Sequence, residues 1–246
     1  MGKVYFVGAG PGDPDLITVK GRRVIESADV IIYAGSLVNP EVIACRKEGA
    51  SVFDSSRMEL SEIISVMAEA CREGKVVARV HTGDPSLYGA IAEQMEELDR
   101  LGIDYEVIPG VSSFLASAAV LRREFTLPGV SQTVICTRIE GETPVPPSES
   151  LESLASHRAS MAVFLSASRV EEVVEALRPH YGEDCPAAVV YRATWPDQRV
   201  IRGRLGEIAD LVRGAGIGRT AMILVGRFLE ARPLRSKVYG PKERGG

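Results

Sequence analysis

The sequence predicts an α/β protein of two domains, and three observations carry that prediction. Short runs rich in β-branched residues alternate with longer runs whose apolar residues recur at helical spacing. Several of the β-rich runs end in turns containing glycine and proline. The 246 residues are 45% apolar and 25% charged, ordinary globular proportions and enough chain for two hydrophobic cores.

The elements follow in order. Val4–Gly8 reads as a buried strand, Leu16–Ser27 as a helix and Asp29–Tyr33 as a second strand. Pro40–Lys47 reads as a short helix and Ser51–Asp54 as a short strand. Leu60–Arg72 places Ile63, Ile64, Met67 and Ala68 on one helical face. Lys75–Val80 and Tyr105–Ile108 read as strands, with an amphipathic helix over Leu87–Arg100 between them. This alternation predicts a mostly parallel sheet, whose ligands bind beyond the carboxyl ends of its strands. The loops that follow strands are therefore the ones to watch.

Ile108–Phe114 (IPGVSSF) punctuates the chain, and a small-residue helix, Leu115–Leu121, follows. A second set of elements then begins. Ser131–Thr137, Met161–Leu165, Ala187–Tyr191, Arg199–Arg204 and Ala221–Gly226 read as strands, and Arg169–Leu177 and Leu205–Arg213 as helices. The domain limits are placed at 1–112 and 113–246. Glu140–Ser150 is rich in Pro, Glu and Ser and reads as an exposed loop. The tail after Leu234 is charged and glycine-rich and is expected to be mobile.

The net charge of −4 argues against a general nucleic-acid binder, so any acidic ligand needs local counter-charges. Cys45, Cys71, Cys136 and Cys185 form no CxxC pair, and His81, His157 and His180 show no metal-ligand spacing, so no bound metal is expected. Met1–Phe6 lacks the pattern of a secretory leader, and no run approaches the length of a membrane span. The expectation is a cytoplasmic protein with neither a membrane nor a nucleic-acid partner.

Four motifs carry chemistry. Gly8-Ala9-Gly10-Pro11-Gly12-Asp13-Pro14 follows the first strand directly. Glycine there lets a ligand approach the backbone, and a dinucleotide fingerprint is the first comparison to make. It fails in detail. GxGxxG needs glycine where the chain has Asp13, and Pro11 has no N–H to offer a phosphate. Tyr33-Ala34-Gly35 occupies the place of the acidic ribose-binding residue. A nicotinamide oxidoreductase is thereby disfavoured, and a tight turn without a ligand is the plainer alternative.

His81-Thr82-Gly83-Asp84-Pro85-Ser86 puts a carboxylate beyond a strand end, suited to a cationic group or to ribose hydroxyls. The structural alternative is an Asx-turn capping the helix that follows. His81 is open to two readings, a base or a structural side chain. In Pro109-Gly110-Val111-Ser112-Ser113 the two serines suit a helix cap or a ligand equally. Tyr191-Arg192-Ala193-Thr194-Trp195-Pro196-Asp197 sets the one tryptophan beside an arginine, as a planar anionic ligand would require, or as a hairpin turn would allow. Neither a GxSxG elbow nor a P-loop occurs.

In order and spacing, VGAGPGDPDLIT (Val7–Thr18), YAGSLV (Tyr33–Val38), HTGDPSLYG (His81–Gly89), PGVSS (Pro109–Ser113) and YRATWPD (Tyr191–Asp197) resemble the tetrapyrrole methyltransferases over nearly the whole chain. YAGSLV, TRIEG (Thr137–Gly141) and ATWPD are most similar to the branch that methylates C-11 of precorrin-4 or cobalt-precorrin-4 in cobalamin synthesis. The resemblance implies two αβα domains, the N-terminal sheet mostly parallel and the C-terminal one mixed, with the cofactor in a cleft between them, and a homodimer. It implies S-adenosylmethionine as donor and S-adenosylhomocysteine as product. The cofactor contacts it implies are Pro11, Gly83, Asp84, Leu87, Ser112, Ser113, Phe164, Leu165, Ser166, Ala193, Thr220, Ala221 and Met222.

A reduced tetrapyrrole carries nucleophilic carbons, so such an enzyme mainly aligns two reactants, and no general base is assigned. Some relatives acting on uroporphyrinogen have an Asp after the corresponding strand end, but Tyr33-Ala34-Gly35-Ser36 holds no carboxylate. Arg57, Arg138 and Arg192 are the candidates for the substrate's carboxylates, and Tyr33, Tyr88 and Trp195 for ring contacts. The alternatives are another ring carbon, another acceptor such as a protein histidine or ribosomal RNA, and a non-catalytic S-adenosylmethionine-binding regulator.

Overall fold

The computed structural model describes residues 2–141 and 143–232, and the charged tail after Leu234 lies outside them. The chain divides into two compact units. One is Met1–Ala116 with Thr194–Pro196, and the other is Ser117–Ala193 with Asp197–Gly246.

The first unit is a five-stranded, wholly parallel sheet. Strands β1 (Lys3–Gly8), β2 (Val30–Tyr33), β3 (Ser51–Asp54), β4 (Val76–His81) and β5 (Tyr105–Ile108) lie in the order β3-β2-β4-β1-β5. Successive strand residues face opposite sides, and both sides are covered. Phe6, Ile32 and Val77 pack with Ile63, Met67 and Leu98 from helices α2 (Leu60–Arg72) and α3 (Ala92–Arg100). Val7, Ile31 and Val80 pack on the other side with Ile25 of α1 (Val19–Ser27). Burial of each such side chain contributes about 1.5–3 kcal/mol. Strands covered on both faces read as the unbroken apolar runs seen in the sequence.

Helix starts depart from the expected positions for local reasons. α1 begins at Val19 rather than Leu16, because Thr18 Oγ1 accepts from Gly21 N at 3.1 Å and caps it there. Asp13 caps a separate 3₁₀ turn, Pro14–Leu16. α3 begins at Ala92 rather than Leu87, because Tyr88 (φ 57°) and Ala90 (φ 49°) are left-handed and cannot continue a helix. Pro40–Lys47 contributes only the 3₁₀ turn Pro40–Ile43, capped by Asn39.

Helix α4 (Ser113–Leu121) contains the division between the units. The second unit has strands β6 (Val134–Arg138), β7 (Ser160–Phe164), β8 (Pro186–Tyr191), β9 (Arg199–Arg204) and β10 (Ala221–Val225), in the order β6-β7-β10-β8-β9. Only β6 and β7 pair in parallel, so the sheet is mixed. Met161, Val163, Val189 and Ile223 form its core with Leu177 of α6 (Val170–Tyr181) and Ile208 of α7 (Ile208–Gly214). α6 runs through Pro179 to Tyr181, four residues beyond the expected Leu177, and is capped by Gly182 (φ 78°). A short helix α5 (Leu151–Ala155), capped by Ser150, had no counterpart in the expected pattern.

Candidate functional site

β4, β1 and β5 are neighbours in the first sheet, so the loops after them emerge side by side. They are joined by backbone. Gly10 N donates to Gly83 O at 3.2 Å and Gly83 N returns to Gly10 O at 2.8 Å. Both residues have positive φ (78° and 63°), the conformation that favours glycine. A Cβ on Gly8 would lie 2.6 Å from Gly110 Cα, and one on Gly110 would press into Gly83 O. The glycines of the three motifs thus touch one another, and an added methyl group would force the loops apart.

Asp84 clamps the same junction. Its Oδ1 accepts from Ser86 N at 2.8 Å, the Asx-turn, and its Oδ2 accepts from Gly110 N at 2.9 Å. The helix-capping alternative fails, since α3 begins eight residues later. Leu87 is half-buried and Ser112 buried beside this junction, while Tyr88 is 42% exposed. Ser113 opens α4.

The first glycine loop is also held by residues distant in sequence. Trp195 Nε1 donates to Pro11 O at 2.9 Å, Thr194 Oγ1 accepts from Asp13 N at 3.0 Å, and Asn39 Nδ2 donates to Gly12 O at 2.8 Å. The Trp195 ring lies where a side chain on Gly12 would have to go. In this structure the tryptophan named as a ring contact therefore buttresses the loop.

Beneath these loops β4 carries two buried polar side chains. Arg79 is only 7% exposed, and its guanidinium donates to Gln94 Oε1 (3.1 Å), Ser55 Oγ (3.1 Å) and Ile32 O (3.4 Å). Burial lowers its pKa to about 10, so it stays cationic at neutral pH. His81 is also 7% exposed, and its Nε2 has no hydrogen-bond partner. Burial, reinforced by Arg79, lowers its pKa to about 3. It is a neutral imidazole and a weak base.

Tyr33-Ala34-Gly35-Ser36 holds no carboxylate of its own. Space supplies one, because Asp54 at the end of β3 accepts from Gly35 N and from Ser56 N, both at 2.9 Å. Those two backbone donors hold its pKa below the usual aspartate value. Asn39 and Asp54 carry no local signal of these contacts. Arg79 does, as a lone cation inside the apolar run VVARV.

In the second unit the carboxyl ends of β6, β7 and β8 share one sheet edge with the amino end of β10. That edge gathers Arg138, Phe164, Leu165, Ser166, Arg192, Ala193, Thr220, Ala221 and Met222. Ser166 is fully buried, donates to Phe164 O (2.6 Å) and accepts from Ile139 N (3.0 Å). Arg192 N donates to Thr220 O at 2.9 Å. Leu165 (φ 54°), Arg192 (φ 46°) and Thr220 (φ 54°) are left-handed without being glycine, and Leu165 is 72% exposed. Such conformations cost energy and cluster where ligands bind.

The arginine candidates divide. Arg57 is exposed. Arg138 donates to the carbonyls of Ile139 (3.3 Å), Thr143 (3.0 Å) and Pro144 (3.2 Å) and orders its own loop. Arg192 pairs with Asp197 at 2.5 Å. Tyr33 is half-buried at the end of β2. Among the described residues there is no His/Cys/Asp/Glu cluster able to hold a metal ion, and no helix is long and apolar enough to cross a membrane.

Comparison with known proteins adds to this geometry. The family model of the tetrapyrrole (corrin/porphyrin) methylases matches residues 3–209. The chain is 54% identical to the cobalt-precorrin-4 C(11)-methyltransferase of Methanocaldococcus jannaschii, covering 96% of this chain and 92% of that protein. It is 53% identical to the precorrin-4 C(11)-methyltransferase of Pseudomonas aeruginosa, covering 93% and 91%. Among solved structures it is similar to a cobalamin biosynthetic enzyme, cobalt precorrin-4 methyltransferase (TM-score 0.91, 49% identity, 93% and 96% covered). It is also similar to the uroporphyrin-III C-methyl transferase of Thermus thermophilus complexed with S-adenosyl homocysteine (TM-score 0.78, 29% identity, 93% and 93% covered).

Proposed function

The chain belongs to the tetrapyrrole (corrin/porphyrin) methylase family, and on that premise we propose that it transfers a methyl group from S-adenosylmethionine to C-11 of precorrin-4 or its cobalt form in cobalamin synthesis. The observation that carries this reading is 54% identity, over 96% of the chain, to a relative named for that reaction. A cobalt-type and a metal-free-type relative match almost equally well (54% and 53%), so both substrate forms belong in the proposal.

The loops suit such a donor. S-adenosylmethionine supplies an electrophilic methyl group on a positively charged sulfonium. Pro11, Gly83, Asp84, Leu87, Ser112 and Ser113 include no basic side chain, and Pro11 has no N–H, so the site lacks what a pyrophosphate needs and tolerates a cation. The Gly10–Gly83 pairing and the Asp84 clamp fix the loop backbones before a ligand arrives. The same assignment to the donor extends to Phe164, Leu165, Ser166, Ala193, Thr220, Ala221 and Met222.

What this chain contributes is mainly alignment. Holding two reactants in line supplies about 7–11 kcal/mol of barrier reduction. The ring carbon attacks with its own π electrons, the carbon–sulfur pair stays on sulfur, and a ring proton leaves to restore neutrality. Asp54, ionised beside Gly35, is a carboxylate available to the positively charged ring. In this reading the protein works in the cytoplasm as a homodimer, a state that analytical ultracentrifugation measures directly.

The decisive assay mixes the purified protein with methyl-labelled S-adenosylmethionine and either precorrin-4 or its cobalt form, and reads the product by mass and carbon NMR. Label at C-11 is the expected result. Label on another ring carbon keeps the family and overturns the named step. Binding of the donor with no transfer favours a regulator.

A further inference from the structure

Arg79 and His81 are two residues apart on β4, face the same side of the sheet, and are each more than nine-tenths buried. Arg79 lacks a counter-ion and His81 a hydrogen-bond partner at Nε2 among the described residues. All of Arg79's partners are neutral: an amide oxygen, a hydroxyl and a backbone carbonyl. Among the described residues Arg79 forms no ion pair, and burial is what lowers its pKa. A buried cation without a counter-ion and a buried orphan nitrogen are both costly to keep. Proteins keep such groups where a ligand completes them.

The location agrees. Arg79 reaches from β4 across Ile32 of β2 to Ser55, the residue that follows β3, so its guanidinium lies at the carboxyl edge of the parallel sheet. His81 ends β4, pairs in register with Gly8 and immediately precedes Thr82-Gly83-Asp84. His81 thus adjoins the glycine junction, while the Arg79 guanidinium lies two strands along the same carboxyl edge, by β2 and β3, the edge at which ligands of such sheets bind.

We propose that Arg79, with His81 beside it, anchors a carboxylate of a bound ligand and takes from it the counter-charge that the protein withholds. This rests on the methyl-transfer reading, which offers two sources of a carboxylate: the amino-acid end of the donor and the acid arms of the tetrapyrrole. Arg57, Arg138 and Arg192 are exposed or already engaged. Arg79 is pre-ordered by three hydrogen bonds, so little side-chain freedom is lost on binding.

The test uses the full chain with four probes: S-adenosylhomocysteine, its carboxyl methyl ester, cobyrinic acid and its permethyl ester. Affinities are measured by calorimetry for wild type, Arg79→Met and Arg79→Lys, and Tm for each. For one of the two ligands the wild type should prefer acid over ester by about 10- to 100-fold, the worth of a charged hydrogen bond. That preference should vanish in Arg79→Met and shrink less in Arg79→Lys. Tm of Arg79→Met serves as the folding control, since the change removes an unpaired buried charge and three hydrogen bonds together. A merely structural arginine would leave the preferences intact.

Collapse of the S-adenosylhomocysteine preference assigns the anchor to the donor, and collapse of the cobyrinic acid preference assigns it to the ring. Equal collapse for both, or survival of both in Arg79→Met, overturns the proposal. So does a wild type indifferent to esterification, a result that holds even if Arg79→Met fails to fold. Failure of the wild type to bind either acid would refute the methyl-transfer reading itself, and this inference with it.

Discussion

The two sheets solve the same problem in opposite ways. At the carboxyl edge of the first sheet the loops meet through the absence of side chains, with Gly8, Gly83 and Gly110 in backbone contact. At the corresponding edge of the second unit the turns are made by Leu165, Arg192 and Thr220, side-chain-bearing residues held in glycine's conformation. The first edge fixes geometry by close approach. The second accepts strain and keeps its side chains. Leu165, at φ 54° and 72% exposure, packs little against its own core.

That contrast can be broken experimentally. The largest effect is expected at Gly110→Ala, whose Cβ meets the Gly83 carbonyl, an atom that cannot step aside. Stability should fall by about 3 kcal/mol or more in urea unfolding, and S-adenosylhomocysteine binding should be lost. If the variant keeps wild-type stability, the close-approach argument is wrong. Asp84→Ala strips acceptors from Gly110 N and Ser86 N and should cost about 1–3 kcal/mol, with weakened donor binding seen by calorimetry. Trp195→Phe keeps the ring and deletes the bond to Pro11 O, and a loss of about 1 kcal/mol is expected.

On the second edge the sign should reverse. Leu165→Gly relieves about 1–2 kcal/mol of left-handed strain against about 0.5–1 kcal/mol of added chain entropy. Thermal unfolding should show a small gain, while affinity for S-adenosylhomocysteine falls. A stability loss there would mean that the side chain serves packing. The smallest effect belongs to Arg57→Ala, an exposed residue, with stability changed by no more than about 0.5 kcal/mol. Its use is as a background for the tetrapyrrole affinity of the other arginine variants.

The sequence made the first edge more legible than the second. Glycines after β-rich runs announce where backbones come close, and the parallel order follows from strand-helix alternation. Leu165 and Thr220 look like ordinary strand-end residues, since positive φ at a non-glycine leaves no mark in the letters. The start of α3 was misplaced for the same reason, through Tyr88 and Ala90. The contacts of Asn39, Asp54 and Trp195 with glycine loops depend on tertiary closure, which local patterning does not encode. Arg79 was visible as an odd letter in an apolar strand, but its lack of a counter-ion is a fact about three dimensions.

The bond from Trp195 to Pro11 spans 184 positions, and that separation sets a timetable. At about 5–20 residues per second, the ribosome makes the first glycine loop on the order of ten seconds or more before it makes the tryptophan that braces it. All five strands of the first sheet have been synthesised before that interval ends, so a nascent chain can own a complete parallel sheet and still lack a finished cradle. Products stalled before Trp195 would carry the signature glycines without the competence, and donor binding would report that synthesis has passed that residue.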